Sequence, residues 1–173
     1  LGLNPLHAMF LADPSRCSPF SPSNRRFLNP LYLAVDQVPG FRADMADAAV
    51  LEDLRAAELV DYPGVAAAKL SALRAIWSAG ATLPDDFVAQ GGDDLRRHAL
   101  FEVASAAMVD AGHGAGWLGW PKAWRDVDGD AMRQLAQERA DDVAFHMWLQ
   151  YLCQSQLQAL RDRCHDLGMA IGL

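Results

Sequence analysis

From about residue 44 onward, apolar positions recur every three to four residues, and that spacing predicts a chain that is mostly helical to near its end. A first helix is expected over residues 48–60. A second opens at Pro63, where a proline's missing N–H has no helical partner to lose. It carries Ala66, Leu70, Leu73 and Trp77 on one face before Gly80 stops it. A third is expected to open after Asp93, with Leu100, Val103, Ala107 and Met108 on one face and Gly112 at its end. The longest stripe runs through Met132, Leu135, Ala140, Val143, Met147, Tyr151, Leu157, Leu160 and Leu167. It predicts a single helix from near Asp128 to Gly168, about 38 residues and roughly 57 Å long.

The first 43 residues read differently. Residues 1–4 fit the end of a strand, and residues 5–29 form a proline-rich stretch with serines, asparagines and arginines between the prolines. Loops longer than about 12 to 15 residues are uncommon in compact domains and are usually functional or disordered. Phe10, Phe20 and Phe27 along this one favour an ordered, functional loop. Leu31, Tyr32, Leu33, Ala34 and Val35 predict a short second strand, closed by Asp36 and a Pro39-Gly40 turn. The final apolar run, residues 169–173, reads as another strand just opening, and both ends look cut. The expected units are residues 1–43, a helical block over residues 44–127, and residues 128–173 as a long helix leading into a strand.

Composition narrows the class. The chain has 173 residues, is 51% hydrophobic and carries a formal net charge of −7, enough apolar material for one sizeable core. An acidic surface repels phosphate backbones, so a nucleic-acid partner is not expected; the dense basic spots, Arg25-Arg26 and Arg96-Arg97, read as solvated pairs. No apolar run approaches the roughly 20 residues of a membrane span. Cys17, Cys153 and Cys164 are odd in number and fit no CxxC spacing, which suits a reducing, cytoplasmic setting and two small buried hydrophobes on the last helix.

Several segments resemble one family in order and spacing. They begin with Gly2-Leu3-Asn4-Pro5-Leu6-His7-Ala8, Ser18-Pro19-Phe20-Ser21-Pro22-Ser23-Asn24-Arg25 and Phe27-Leu28-Asn29-Pro30-Leu31-Tyr32. Sparser matches follow at Val60-Asp61-Tyr62 with Val65 and Lys69, at Trp117 with Trp120-Pro121 and Arg125, and at Phe145 with Leu149-Gln150 and Gln156. The closing Gly168-Met169-Ala170-Ile171-Gly172-Leu173 completes the set. Together they resemble the amylomaltases, 4-alpha-glucanotransferases also called disproportionating enzymes. The resemblance implies an α/β fold, a partial (β/α)8 barrel whose first strands and long loop are joined to a mostly helical insertion. It implies a retaining transfer of alpha-1,4-glucan segments between maltooligosaccharides, with neither organic cofactor nor metal. The family's aspartate nucleophile, glutamate acid/base and second aspartate belong to later strands, so no residue here inherits a catalytic role.

The same resemblance puts Ser18, Phe20 and Asn29 where the family contacts bound glucan. Active sites of such barrels lie at the C-terminal ends of strands, and sugars are held by hydroxyl and amide groups with an aromatic face against the ring. Against this, Ser18 and Asn29 are residue types that commonly cap their own turns. The family usually has tyrosine at Phe20, serine at Asn24 and aspartate at Ala34, so Phe20 can stack on a sugar but cannot hydrogen-bond it. Trp117 and Trp120, on a glycine-rich loop, are candidates for a stacking platform or, alternatively, plugs of the helical insertion against the barrel. Tyr62 and Lys69 share a helix face and read as a core-edge tyrosine and a snorkelling lysine.

Asp85-Asp86, Asp93-Asp94 and Asp141-Asp142 are sequence neighbours whose side chains are expected to diverge as caps or solvated groups, and Glu102 and Glu138, on amphipathic helices, read the same way. None makes the carboxyl pair about 5 to 5.5 Å apart that retaining chemistry needs. The five histidines show no metal spacing, His7 being the one worth testing for its place near a strand end. The rival from a different class is a non-catalytic all-helical interaction domain, in which the tryptophans and amphipathic faces pack against a protein partner.

Overall fold

The computed structural model of the chain describes residues 2–172. Among them are five α-helices and one two-stranded antiparallel sheet. The strands are β1 (His7–Ala8) and β2 (Asn24–Leu28), and the helices are α1 (Ala48–Ala56), α2 (Tyr62–Ser78), α3 (Asp85–Asp110), α4 (Asp130–Glu138) and α5 (Ala140–Asp166).

The N-terminal stretch is ordered, but its strand lies elsewhere than expected. The segment Asn24–Leu28, polar in sequence, is the strand; it pairs with β1 through an irregular register in which His7 faces Leu28 and Ala8 faces Asn24. The expected strand at residues 31–35 is instead two 3-10 turns, Pro30–Tyr32 and Val35–Gln37. The local reason is Asn29. Its side chain accepts from the Leu31 amide at 3.1 Å, and Pro30 behind it fixes φ for a helical turn rather than an extended one.

Helices α1 and α2 begin on aspartate caps. Asp47 accepts from the amides of Ala49 and Val50, and Asp61 from that of Gly64. The buried face of α2 is Ala66, Ala72, Leu73 and Ile76, close to the predicted stripe. Helix α3 starts eight residues before the expected Asp93, because a first helical segment runs into a kink at Gly92, where φ is 54° and ψ −145°. Only glycine adopts that backbone readily.

The predicted 38-residue helix is two. Arg139, at φ −117° and ψ 35°, separates α4 from α5. The break follows from packing two different cores. Met132 and Leu135 of α4 join Leu100, Val103, Met108 and Trp120 in one cluster, while Phe145, Trp148, Leu149 and Leu152 of α5 join Leu73 and Ile76 in another. A straight helix cannot aim one stripe at both.

Helix α5 ends where expected. Gly168 has φ of 70°, and the Met169 amide reaches back to the Cys164 carbonyl at 2.8 Å. Beyond it, Gly172 forms a parallel bridge with Gly2, and the Leu3 amide donates to the Gly172 carbonyl at 3.1 Å. The outermost positions of the expected terminal strands, Leu1 and Leu173, lie outside the described residues.

Candidate functional site: two loops joined through an aromatic row

The loop between β1 and β2 is anchored at one end and exposed at the other. Phe10 is buried, meets the Phe101 ring edge-on at 6.3 Å, and has the Arg16 guanidinium 3.9 Å from its ring centre. Turns at Asp13 and Arg16 then lead outward to Ser18, whose carbonyl accepts from the Ser21 amide at 3.0 Å. Ser18 is exposed, and Phe20 presents 73% of its surface to solvent.

The glycine-rich loop after α3 splits its two tryptophans. Trp117 is 52% exposed, next to the still more exposed Leu118. Trp120 is 2% exposed, stacked on Phe101 at 5.5 Å, with its indole N–H donating to the Gly114 carbonyl at 2.9 Å. As a member of the shared stacking platform Trp120 is therefore corrected: its faces are covered by core residues of α3 and α4. Asn29 is also buried, with its side-chain oxygen committed to the Leu31 amide. It still lines the cavity described below.

Phe10, Phe101 and Trp120 make a continuous row of rings that ties the two loops to one piece of core. Their outer parts also meet, since a Cβ placed on Gly116 would lie 3.6 Å from the Arg16 side chain. Exposed Phe20 and Trp117 thus stand on loops that share a base. Beside the first loop is a cavity of about 230 Å³, walled by Phe10, Arg16, Cys17, Asn29, Tyr32 and Tyr62 among others. Arg16 and Tyr32 were not anticipated. Tyr32 is 58% exposed because its segment is a 3-10 turn; in the expected strand it would have been one more apolar position.

Lys69 does more than snorkel. Its ammonium donates to the carbonyls of Leu31 and Leu33 at 2.7 and 2.9 Å, and burial holds its pKa below the usual lysine range. Asp141 and Asp142 were expected to diverge, yet both reach Arg74, at 3.5 and 2.8 Å, and Asp141 also accepts from the Trp77 indole. Neighbours on the first helical turn can converge when a single guanidinium offers several donors. Of the four arginines in the two basic pairs, Arg26, Arg96 and Arg97 each face an aspartate.

Glu102, expected on a solvated helix face, is instead buried. Glu102 and His98 stand one turn apart on α3, with side chains 4.0 Å apart and sealed from solvent. The Phe27 ring stacks on His98 at 4.2 Å. Burial pushes Glu102 up to about 8, opposed by the Leu11 amide, and pushes His98 down to about 4. Both shifts favour the neutral forms, so at neutral pH this contact is not an ion pair. Near it, burial first, then the neighbouring His98 and Arg74 charges, lower His146 to about 3 against the opposing pull of Asp142. Among the described residues no group of three or more His, Cys, Asp or Glu is placed to hold a metal ion, and no helix is long and apolar enough to cross a membrane.

A sequence model described as 4-alpha-glucanotransferase matches residues 1–173. The chain belongs to the 4-alpha-glucanotransferase family. It is similar to the 4-alpha-glucanotransferase of Haemophilus influenzae, 31% identical over 200 residues that take in 100% of this chain and 28% of the relative. It is similar also to that of Mycobacterium tuberculosis, at 28% identity over 99% of this chain and 25% of the relative. The crystal structure of amylomaltase from Corynebacterium glutamicum superposes with a TM-score of 0.60 and 25% identity, over 99% of this chain and 24% of that one. The chain thus spans about a quarter of the length of the 4-alpha-glucanotransferases it matches. A family match over the whole chain displaces the alternative of an unrelated helical interaction domain.

Proposed function

We propose that this chain is the part of a 4-alpha-glucanotransferase that supplies a glucan-facing rim, in an enzyme that moves alpha-1,4-glucan segments between maltooligosaccharides by a retaining mechanism. The reacting carboxylates come from the remainder of the parent polypeptide. The observation that carries the reading is the pair of exposed aromatic rings, Phe20 and Trp117, on two loops rooted in one aromatic row. Rings held this way offer flat faces to the C–H side of a sugar with little ordering cost, and Ser18 on the same loop adds a hydroxyl.

A barrel origin is supported by the chain ends. Gly2 and Gly172 pair in parallel, and the chain between them returns through α5, which is the relation between successive strands of a β/α unit. In that reading residues 1–43 open the barrel, residues 44–127 are the helical insertion, and residues 128–173 return to the next strand. The setting we propose is cytoplasmic, with the glucan as partner and no cofactor.

Substituting alanine for Phe20 or Trp117 in the full-length parent enzyme tests the rim. Each is expected to raise KM for maltotriose about five- to tenfold with kcat nearly unchanged, the pattern of lost binding away from the reacting centre. Unchanged KM in both variants rejects the rim.

A further inference from the structure

The turn that follows β2 is gripped by three side chains from two helices. On α5, Gln150 donates to the Leu28 carbonyl at 2.8 Å and accepts from the Leu28 amide at 3.0 Å. Six residues nearer the C-terminus, Gln156 treats Ala34 identically, donating to its carbonyl and accepting from its amide, both at 2.9 Å. Between these points Lys69 of α2 takes the carbonyls of Leu31 and Leu33. Each glutamine amide offers one donor and one acceptor, which is what a neighbouring strand offers to a residue in a ladder.

The consequence is a full account of the backbone donors. From Leu28 to Ala34 every N–H has an acceptor: Gln150 for Leu28, Leu6 for Asn29, the Asn29 side chain and carbonyl for Leu31 and Tyr32, Pro30 for Leu33, and Gln156 for Ala34. Pro30 has no N–H to satisfy. An irregular segment so fully bonded has one conformation rather than several. What it carries is Asn29 and Tyr32, both in the wall of the cavity beside Arg16.

We infer that Gln156 and Lys69 are positioning residues that fix where the Tyr32 ring stands on the glucan-facing rim, making Tyr32 a further contact to the sugar chain. This rests on the rim reading above. Neither Gln156 nor Lys69 is in the wall of the cavity beside Arg16, and Lys69 acts on it through the turn; Gln156 grips the turn at Ala34 and also lines a second cavity of about 360 Å³ with Asn29 and Tyr32.

The test uses the full-length parent enzyme with maltotriose as donor and acceptor, varying Tyr32 and Gln156 singly and together. Tyr32→Ala and Gln156→Leu are each expected to raise KM about three- to tenfold with kcat within about twofold. Gln156→Glu keeps the acceptor for the Ala34 amide and loses only the donor, so its KM falls between wild type and Gln156→Leu, and it serves if Gln156→Leu does not fold. The double variant of Tyr32→Ala with a Gln156 change has the KM of Tyr32→Ala alone, because the glutamine acts through that ring. Additive effects, or KM unchanged in folded variants of an active wild type, overturn the inference. A wild-type parent that transfers no glucan overturns instead the function on which it rests.

Discussion

Trp120 donates its indole N–H to the Gly114 carbonyl while its ring lies on Phe101, so a residue six positions after the glycine closes the loop that displays Trp117. The two tryptophans therefore do different work, and stability measurements separate them. Trp120→Ala empties a packed site and is expected to destabilise the fold by about 3–5 kcal/mol. Trp117→Ala removes a half-exposed ring and is expected to stay within about 0.5 kcal/mol. Equal losses in chemical denaturation reject the assignment.

The buried acid pulls stability down as pH rises from 4.5 to about 8, and above 6.5 the buried histidines no longer oppose it. Glu102 has its folded pKa raised from 4.5 to about 8, so its contribution is full below 4.5 and is lost as pH climbs toward 8. His98 and His146, lowered from 6.5, contribute above 6.5 and lose that contribution as pH falls. Between 6.5 and 8, of these three only Glu102 titrates. The denaturation midpoint is expected to drop across that window, and Glu102→Gln, which has no proton to lose, is expected to flatten it. A wild-type midpoint that is level or rising there contradicts the shift.

Gly92 isolates a backbone effect from a packing effect. A Cβ placed there meets nothing within 4 Å, yet φ of 54° lies in the left-handed region. Gly92→Ala is expected to cost about 1–3 kcal/mol through conformation alone. A neutral result in thermal or chemical unfolding means the kink straightens freely.

Glucan transfer by the 173-residue chain alone is not expected. Its strongly perturbed acid, Glu102, is sealed beside His98, and Asp141 and Asp142 are held by Arg74. Glucose released from maltotriose above a blank overturns this.

Residue pattern by itself determined the helices with one consistent face. The stripe from Ala66 to Trp77, the Pro63 opening and the Gly168 stop depend on neighbours within a turn or two, and local sequence carries that information. The motif Ser18-Pro19-Phe20 through Tyr32 likewise pointed to the family before any contact was known. Three features were decided only by tertiary structure. The polar segment Asn24–Leu28 is a strand because β1 lies beside it, and the turns over residues 31–35, opened locally by Asn29 and Pro30, are held in place because Gln156 and Lys69 satisfy the backbone of Leu31, Leu33 and Ala34 from more than 30 residues away in sequence. The stripe through Arg139 breaks because its two halves face different cores. Which tryptophan is buried followed the same rule: Trp117 and Trp120 are chemically identical, and only the position of Phe101 on another element tells them apart.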